Sequence, residues 1–116
     1  MAEGQFGKMI YCFDIDDTIC LTQGLNYSLS TPILERISRI NELFEDGHTI
    51  KLYTARGSKT GIDWSEITNS QLIAWGLKFH ELHFGKPFAD LYIDDKAVNE
   101  KDFKWEIRVA SGNQAT

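Results

Sequence analysis

Short apolar segments recur along the chain, and each one ends in a group of polar residues. They occupy about residues 8–14, 48–53, 82–84 and 90–93. Segments of this length and composition are typical of strands that are buried within an α/β sheet. The pattern therefore predicts a sheet of about four strands.

Apolar residues with helical spacing lie between the first two of these segments, at Ile33, Leu34, Ile37, Ile40, Leu43 and Phe44. Thr31 followed by Pro32 predicts an N-cap and a proline in the first turn, and Asp46–Gly47 predicts the end of this helix. A second helix is predicted to begin with Ser65 as its cap and to end at about residue 75. Helices and strands thus alternate along the chain.

A strand, a helix and a second strand form a βαβ unit, which predicts parallel strands and a right-handed crossover. The carboxyl ends of both strands then lie at the same edge of the sheet. Asp14 and Asp16 follow the first strand, and Thr54 and Arg56 follow the second. Open α/β sheets bind their ligands at this edge, so these side chains are expected to share a site.

The length and charge of the chain exclude several classes of protein. A chain of 116 residues is long enough for one domain with a core and too short for two. The net charge of −5 argues against nucleic acid or an anionic membrane as the main partner. No apolar run could span a membrane, and the first residues lack the apolar region of a signal peptide. Cys12 and Cys20 lack metal-ligand spacing and are expected to be reduced thiols in the cytoplasm.

A cluster of carboxylates follows the first strand directly, at Asp14, Asp16 and Asp17. Carboxylates that are held close together repel one another unless a cation or a proton relieves the repulsion. The cluster therefore predicts a site for a hard divalent cation, with one carboxylate left for covalent or acid–base chemistry.

Residues 14–18, Asp-Ile-Asp-Asp-Thr, resemble the first motif, Asp-x-Asp-x-Thr, of the haloacid dehalogenase (HAD) superfamily of phosphohydrolases. Thr54, Lys86 and the pair Asp94–Asp95 follow in the order that the superfamily requires, and the resemblance covers about residues 8–99. It implies an α/β fold of the minimal HAD-like Rossmannoid type. This is a three-layer sandwich with a mainly parallel sheet of about four strands and no cap domain.

The resemblance also implies roles for the residues that match. Asp14 would attack phosphorus and form an aspartyl-phosphate, and Asp16 would protonate the leaving oxygen and later deprotonate the attacking water. Thr54 would hydrogen-bond a phosphoryl oxygen, and Lys86 would neutralise charge on the phosphoryl group and on the nucleophile. Arg56 would be a second cation near the phosphate or would bind an anionic group of the substrate. A surface ion pair is the alternative explanation of Arg56.

The implied cofactor is Mg²⁺, which takes few protein carboxylates and keeps several waters. Asp14 would supply a side-chain oxygen and Asp16 its backbone carbonyl. Of the last acidic pair, Asp95 is favoured as the direct ligand, and Asp94 is the second candidate. Asn99 would hold Asp95 or a metal-bound water.

Both connections that could carry a cap domain, residues 18–30 and 57–64, are too short to hold one. In this respect the chain resembles the small HAD phosphatases encoded with capsule and surface-polysaccharide synthesis. That resemblance implies a small phosphorylated metabolite as the substrate, of the sugar-phosphate or polyol-phosphate type. We therefore expect a Mg²⁺-dependent phosphoric monoester hydrolase with an open site.

Because the site is open to water, we expect another subunit to close over it, so a homo-oligomer is predicted. Tyr27, Trp64 and an arm at Phe103–Val109 could supply the contact, although packing within the subunit also explains each of them. The chain is then a single domain over residues 1–116. Its core covers about residues 8–99, a C-terminal arm residues 100–110 and a frayed tail residues 111–116.

Two other functions use similar residues. A receiver-like signalling module also places Asp residues, a Thr and a Lys around Mg²⁺, but its first strand ends in adjacent metal-binding acids and its phosphorylated Asp follows a later strand. Here the Asp-x-Asp-x-Thr spacing is on the first strand and the Asp–Asp pair on the last, which favours the hydrolase. The other alternative is a catalytically idle HAD-fold binding protein, against which the complete set of acids, Thr and Lys argues.

Overall fold

The computed structural model describes residues 7–85, 89–93 and 103–105. Within these ranges the chain forms a main sheet, a short two-stranded ribbon and two α-helices. The ribbon lies between the first long strand and the first helix. In chain order the elements are β1 (Ile10–Asp14), β2 (Cys20–Leu21), β3 (Thr31–Pro32), α1 (Leu34–Glu45), β4 (Thr49–Tyr53), α2 (Ser65–Ala74), β5 (Glu81–His83) and β6 (Leu91–Ile93).

The main sheet has four strands in the order β5–β4–β1–β6, and every pair in it is parallel. β1 is central, with Asp14 opposite Tyr53 on one side and Phe13 opposite Ile93 on the other. The prediction of an α/β fold on a parallel sheet of about four strands, a minimal Rossmann-like sandwich, is confirmed.

Both helices pack on one face of this sheet and close a large apolar cluster. Its fully buried members include Phe13 and Leu52 from the sheet, Ile40 from α1 and Leu72 from α2. Burial of each such side chain stabilises the fold by about 1.5–3 kcal/mol. Alternate strand residues point to the other face, where a smaller cluster is formed by Cys12, Tyr53 and Ala89.

The first helix begins later than the sequence predicts. α1 starts at Leu34, and its N-cap, Ile33, has an extended conformation. No described side chain forms a capping hydrogen bond at this end of the helix. The predicted cap, Thr31, lies instead in β3, which pairs antiparallel with β2. The Ile33 amide then donates to the Ile19 carbonyl at 2.9 Å. The N-cap prediction is wrong because this long-range pairing holds the segment extended.

The second helix is also shifted by one residue at its start. Trp64 is the N-cap of α2 and Ser65 is its first residue, so the prediction that Ser65 caps the helix is wrong. Asp63 stabilises the start of the helix instead, because its Oδ1 accepts hydrogen bonds from the Ser65 amide at 2.9 Å and from the Ser65 hydroxyl at 2.7 Å. These two bonds lower the pKa of the Asp63 carboxyl.

The predicted end of the first helix is confirmed. Asp46 is the C-cap of α1, and Gly47 follows it with φ of 95°. A left-handed residue directly after a helix is the usual place for glycine, since other residues are strained there. The turn directs the chain straight into β4.

The described part of the C-terminal arm packs against the same subunit. Phe103 and Trp105 contact the ring of Phe13 at centroid distances of 5.7 and 5.9 Å. The guanidinium of Arg36 lies over the Trp105 ring at 4.8 Å. These two aromatic rings therefore extend the core of their own subunit. Residues 106–116, which include the rest of the predicted arm and tail, lie outside the described ranges.

The two connections at the carboxyl edge of the sheet carry no extra domain. Residues 15–33 contain only the β2–β3 ribbon and a 3₁₀ turn at Tyr27–Leu29, and residues 54–64 form a compact loop. No helix formed by the described residues combines the length and the apolar character needed to span a membrane.

Candidate functional site

Asp14 and Thr54 lie at the carboxyl edge of the sheet, at the ends of neighbouring strands. The Ile15 amide donates to the Tyr53 carbonyl at 3.2 Å, so the segments that follow β1 and β4 stay paired one residue beyond β1. Asp14 and Thr54 line the same cavity, of about 690 Å³. β1 is also the strand at which the chain changes direction across the sheet, and ligands of open α/β sheets bind at that point. The predicted proximity of these two residues is therefore observed.

The hydroxyl of Thr54 is well placed to donate to a ligand. Thr54 is only 1% exposed, and its Oγ1 accepts the Arg56 amide at 3.1 Å. Its own amide donates to the His83 carbonyl at 3.0 Å, which fixes the backbone to β5. The hydroxyl proton has no acceptor among the described residues, so it remains available to an oxygen in the cavity.

Asp16 is held by a two-point ion pair with Arg56. The Nη2 of Arg56 lies 2.9 Å from Asp16 Oδ1, and its Nε lies 3.1 Å from Oδ2 and 3.3 Å from Oδ1. Arg56 is only 3% exposed, whereas the Asp16 side chain keeps 21% of its surface exposed. The ion-pair alternative for Arg56 is therefore the arrangement that the structure shows, although the pair is largely buried and not on the surface.

The rest of the guanidinium is bound by side chains from two other segments. Its Nη1 donates to Thr68 Oγ1 at 3.0 Å and to Gln71 Oε1 at 2.7 Å, both on α2. Its Nη2 also reaches Ser30 Oγ at 3.3 Å, and its Cζ lies over the Tyr27 ring, 4.8 Å from the ring centroid. Arg56 lies in the wall of the cavity, but all of its nitrogens are engaged by protein groups. A direct substrate-binding role for Arg56 stays a prediction.

Asp16 Oδ1 has further partners in the loop that follows β1. The Thr22 hydroxyl donates to it at 2.6 Å, and the Cys20 Sγ lies 3.8 Å away. Burial raises the pKa of the Cys20 thiol, with the Asp16 charge acting in the same direction. The thiol is therefore protonated at neutral pH, and the thiolate form that would act as a nucleophile is disfavoured.

Asp17 takes part in the turn and not in the cavity. It is exposed, and its φ of 65° places it in the left-handed region that Asp tolerates better than most residues. Its Oδ1 accepts the Thr22 amide at 3.3 Å. The turn aims Asp16 towards Arg56 and leaves Asp17 facing solvent.

The predicted Mg²⁺ ligands are only partly within the described residues. Lys86, Asp94, Asp95 and Asn99 lie outside the described ranges. Inside those ranges no three His, Cys, Asp or Glu side chains gather into a metal site. The carbonyl oxygen of Asp16 accepts no hydrogen bond from a described residue, and β6 ends at the same edge as Asp14. A free carbonyl and a carboxylate at this edge are oxygen donors of the kind that Mg²⁺ takes.

A second cavity adjoins the first and is also lined by Leu25 and Tyr27 from the loop after β1. It has a volume of about 450 Å³ and shares Gly57, Ile62 and Trp64 with the first. The Trp64 ring meets the Tyr27 ring edge-on at 5.0 Å. Lys59 lines this second cavity and does not line the first. The site is thus an open groove with an apolar, partly aromatic wall.

Four residues of the site network escaped the sequence analysis. Thr22 and Ser30 lie in the connection between β1 and α1, and Thr68 and Gln71 lie on α2. The only signal for the second pair is their spacing of three residues, which places two polar side chains on one face of a helix next to the buried Leu72. That signal names a face of the helix and does not name Arg56 as its partner.

Comparison with known proteins supports the fold. No protein-family model matches the chain, and no curated protein matches it. The chain is similar to a protein from Vibrio cholerae whose crystal structure is known, with a TM-score of 0.63 and 26% sequence identity. The similarity covers 80% of this chain and 85% of that one. It supports the α/β architecture over most of the chain and assigns no activity.

Proposed function

We propose that this protein is a Mg²⁺-dependent phosphatase of the HAD type, which hydrolyses a phosphate monoester through an aspartyl-phosphate on Asp14. One observation carries the proposal. The first acid of the Asp-x-Asp-x-Thr sequence and the Thr54 hydroxyl line a single cavity at the carboxyl edge of a parallel sheet. Asp16, the second acid, is held two residues away by a buried arginine. Asp14, Thr54 and Asp16 thus lie at the ends of two neighbouring strands or in the loops that follow them, which supports a shared role for them.

The chemistry follows from what each side chain can do. The carboxylate of Asp14 attacks phosphorus, and the Thr54 hydroxyl donates a hydrogen bond to a phosphoryl oxygen. Asp16 gives a proton to the leaving oxygen and then takes one from the water that hydrolyses the intermediate. Mg²⁺, held by Asp14, the Asp16 carbonyl and the Asp94–Asp95 pair, would neutralise charge on the phosphoryl group. Lys86 would add a further positive charge there.

Strand order favours the hydrolase over the receiver-like alternative. Receiver domains of the flavodoxin-like type place their first strand between the second and the third. Here the first parallel strand, β1, lies between the second, β4, and the fourth, β6. The parallel strands therefore follow the order 3-2-1-4, in which the acidic loop after β1 lies beside the end of the last strand, β6.

The shape of the site supports a small phosphorylated metabolite as the substrate. Because no cap domain covers the groove, the alcohol part of the substrate would lie along Ile62 and Trp64. A sugar phosphate or polyol phosphate fits this description, and the role in surface-polysaccharide synthesis rests on the sequence resemblance. A screen of phosphorylated metabolites against p-nitrophenyl phosphate as the reference tests the substrate class.

Phosphate release from p-nitrophenyl phosphate, with and without Mg²⁺, tests the proposed reaction. We expect metal-dependent release by the wild type and none by Asp14→Asn. Asp17→Asn is the matched control, since it makes the same change of charge in the same loop at an exposed position that Asn also tolerates. Full activity of Asp14→Asn, or equal losses in the two variants, would contradict the proposal.

A further inference from the structure

The two oxygens of the Asp16 carboxylate have unequal surroundings. Oδ1 receives the Thr22 hydroxyl at 2.6 Å and the Arg56 Nη2 at 2.9 Å, with the Cys20 thiol at 3.8 Å. Among the described residues, Oδ2 receives only the Arg56 Nε, at 3.1 Å. A carboxylate offers about four lone-pair sites, two on each oxygen. Within the part of the chain that the structure describes, the sites of Oδ1 are therefore filled, and Oδ2 keeps one for a proton or a ligand.

The arginine that makes this difference is itself immobilised. Arg56 is 3% exposed, and its Nη1 is bound by Thr68 and Gln71 from α2. Its plane rests over Tyr27, and the Gln71 amide nitrogen donates to the Tyr27 carbonyl at 2.7 Å. The guanidinium thus connects the loop after β4, the helix α2 and the loop after β1. Rotation of the Asp16 carboxylate would disrupt its three hydrogen bonds with Arg56 together.

We propose that Arg56 is a positioning residue, which holds the Asp16 carboxylate so that Oδ2 faces the leaving oxygen of the substrate. The proposal rests on the proposed phosphatase function and departs from the sequence prediction that Arg56 binds the substrate. Oδ2 then carries the proton that moves to the leaving oxygen, while Oδ1 is the anchored oxygen. Only a planar fork of donors can bind both oxygens of one carboxylate in this way, so lysine would not replace arginine.

A leaving-group comparison separates positioning from mere structural support. p-Nitrophenyl phosphate and phenyl phosphate have similar shapes, but nitrophenolate leaves without a proton and phenolate leaves much better with one. The parameter to compare is kcat/KM, because it reports the steps up to the aspartyl-phosphate. General acid catalysis contributes about 100-fold or more, so Arg56→Lys should lose about 100-fold on phenyl phosphate. On p-nitrophenyl phosphate the loss should be at most a few-fold.

A double-variant cycle links this effect to Asp16. In an Asp16→Asn background the acid is already absent, so Arg56→Lys should add no further loss on phenyl phosphate. Arg36→Lys is the matched control, because Arg36 is also partly buried over an aromatic ring and donates to the Thr18 carbonyl, without contact to Asp16. That control should affect both esters alike.

Thr22→Val offers a second route if Arg56→Lys fails to fold. It removes the hydroxyl on Oδ1 and leaves the guanidinium in place, so a smaller loss confined to phenyl phosphate is expected. Equal losses on both esters in these variants, or a further loss in the Asp16→Asn background, would overturn the positioning role and leave the phosphatase proposal standing. A wild-type protein that releases no phosphate from either ester would overturn the phosphatase function and this inference with it.

Discussion

Gly57 lies at the start of the loop that forms the wall of the cavity, and its replacement by alanine should be unusually costly. Its φ is +82°, and an added Cβ would lie 2.2 Å from the Ile62 carbonyl oxygen. Gly61, in the same loop, has φ of +75° with nothing within 4 Å of an added Cβ. The two positions share the backbone strain and differ in the steric clash.

The magnitudes follow from these two terms. The left-handed conformation costs an alanine about 1–2 kcal/mol, and overpacking costs about 1–3 kcal/mol more. Gly61→Ala should therefore lower the free energy of unfolding by about 1 kcal/mol, and Gly57→Ala by about 3 kcal/mol. Because Ile62 must move, Gly57→Ala should also raise KM for the phosphate ester.

Equilibrium unfolding in urea measures the difference, with the midpoint shifting while the m-value stays constant. Steady-state kinetics on p-nitrophenyl phosphate reports the change in KM. Equal destabilisation by the two alanine variants would refute the reasoning, since it would show that the contact between residues 57 and 62 does not constrain the loop.

Further predictions concern the core, the buried thiol and the metal. Leu72→Ala should lower the free energy of unfolding in urea by about 3 kcal/mol, whereas Ile73→Ala, at a side chain that is 74% exposed, should have little effect. The pKa of Cys20 is raised above its ordinary value of 9.0, so the folded state keeps the proton that the unfolded state loses. Stability should therefore fall as the pH rises above about 9, less steeply in Cys20→Ala, as measured by urea unfolding at several pH values. EDTA should abolish phosphate release, and Mg²⁺ should restore it; unchanged activity in EDTA would contradict the metal requirement.

The strands and the placement of Asp14 and Thr54 beside one cavity could be predicted because their signals are local. Each strand is a short apolar run, and a βαβ unit with a right-handed crossover leaves few ways to arrange two such runs. Glycine after α1 has the same local character, because the residue at that turn needs a positive φ. Rules that act over a few residues therefore determined the sheet edge at which the site is built.

The start of α1 and the partners of Arg56 could not be predicted in this way. Thr31 and Pro32 carry a good capping signal, but their pairing with the distant β2 outweighs it. Arg56 forms hydrogen bonds with Asp16 and Gln71, which are far from it in sequence. These contacts depend on how α2 and the loop after β1 pack in the folded protein. A pattern read along one segment gives no information on which buried acceptor a given arginine will meet.

The described part of the C-terminal arm shows a similar limit. The sequence allowed either a subunit contact or packing within the subunit for this segment, and Phe103 and Trp105 pack against the ring of Phe13 in their own subunit. Their use within the subunit removes the reason for placing a subunit contact at these two rings. Self-association over the open groove stays a prediction, for which sedimentation of the intact chain is the measurement.

Trapping of a phosphoryl group on Asp14 tests the central claim most directly. Asp16→Asn should still accept the phosphoryl group from p-nitrophenyl phosphate, because that leaving group needs no proton, but it should hydrolyse the intermediate slowly. Acid quenching followed by peptide mass spectrometry should then show one phosphoryl group on the peptide that contains Asp14, and hydroxylamine should remove it. The same peptide from Asp14→Asn/Asp16→Asn should carry none. Wild-type turnover with no phosphoryl group on this peptide, and undiminished turnover by Asp14→Asn, would contradict the account.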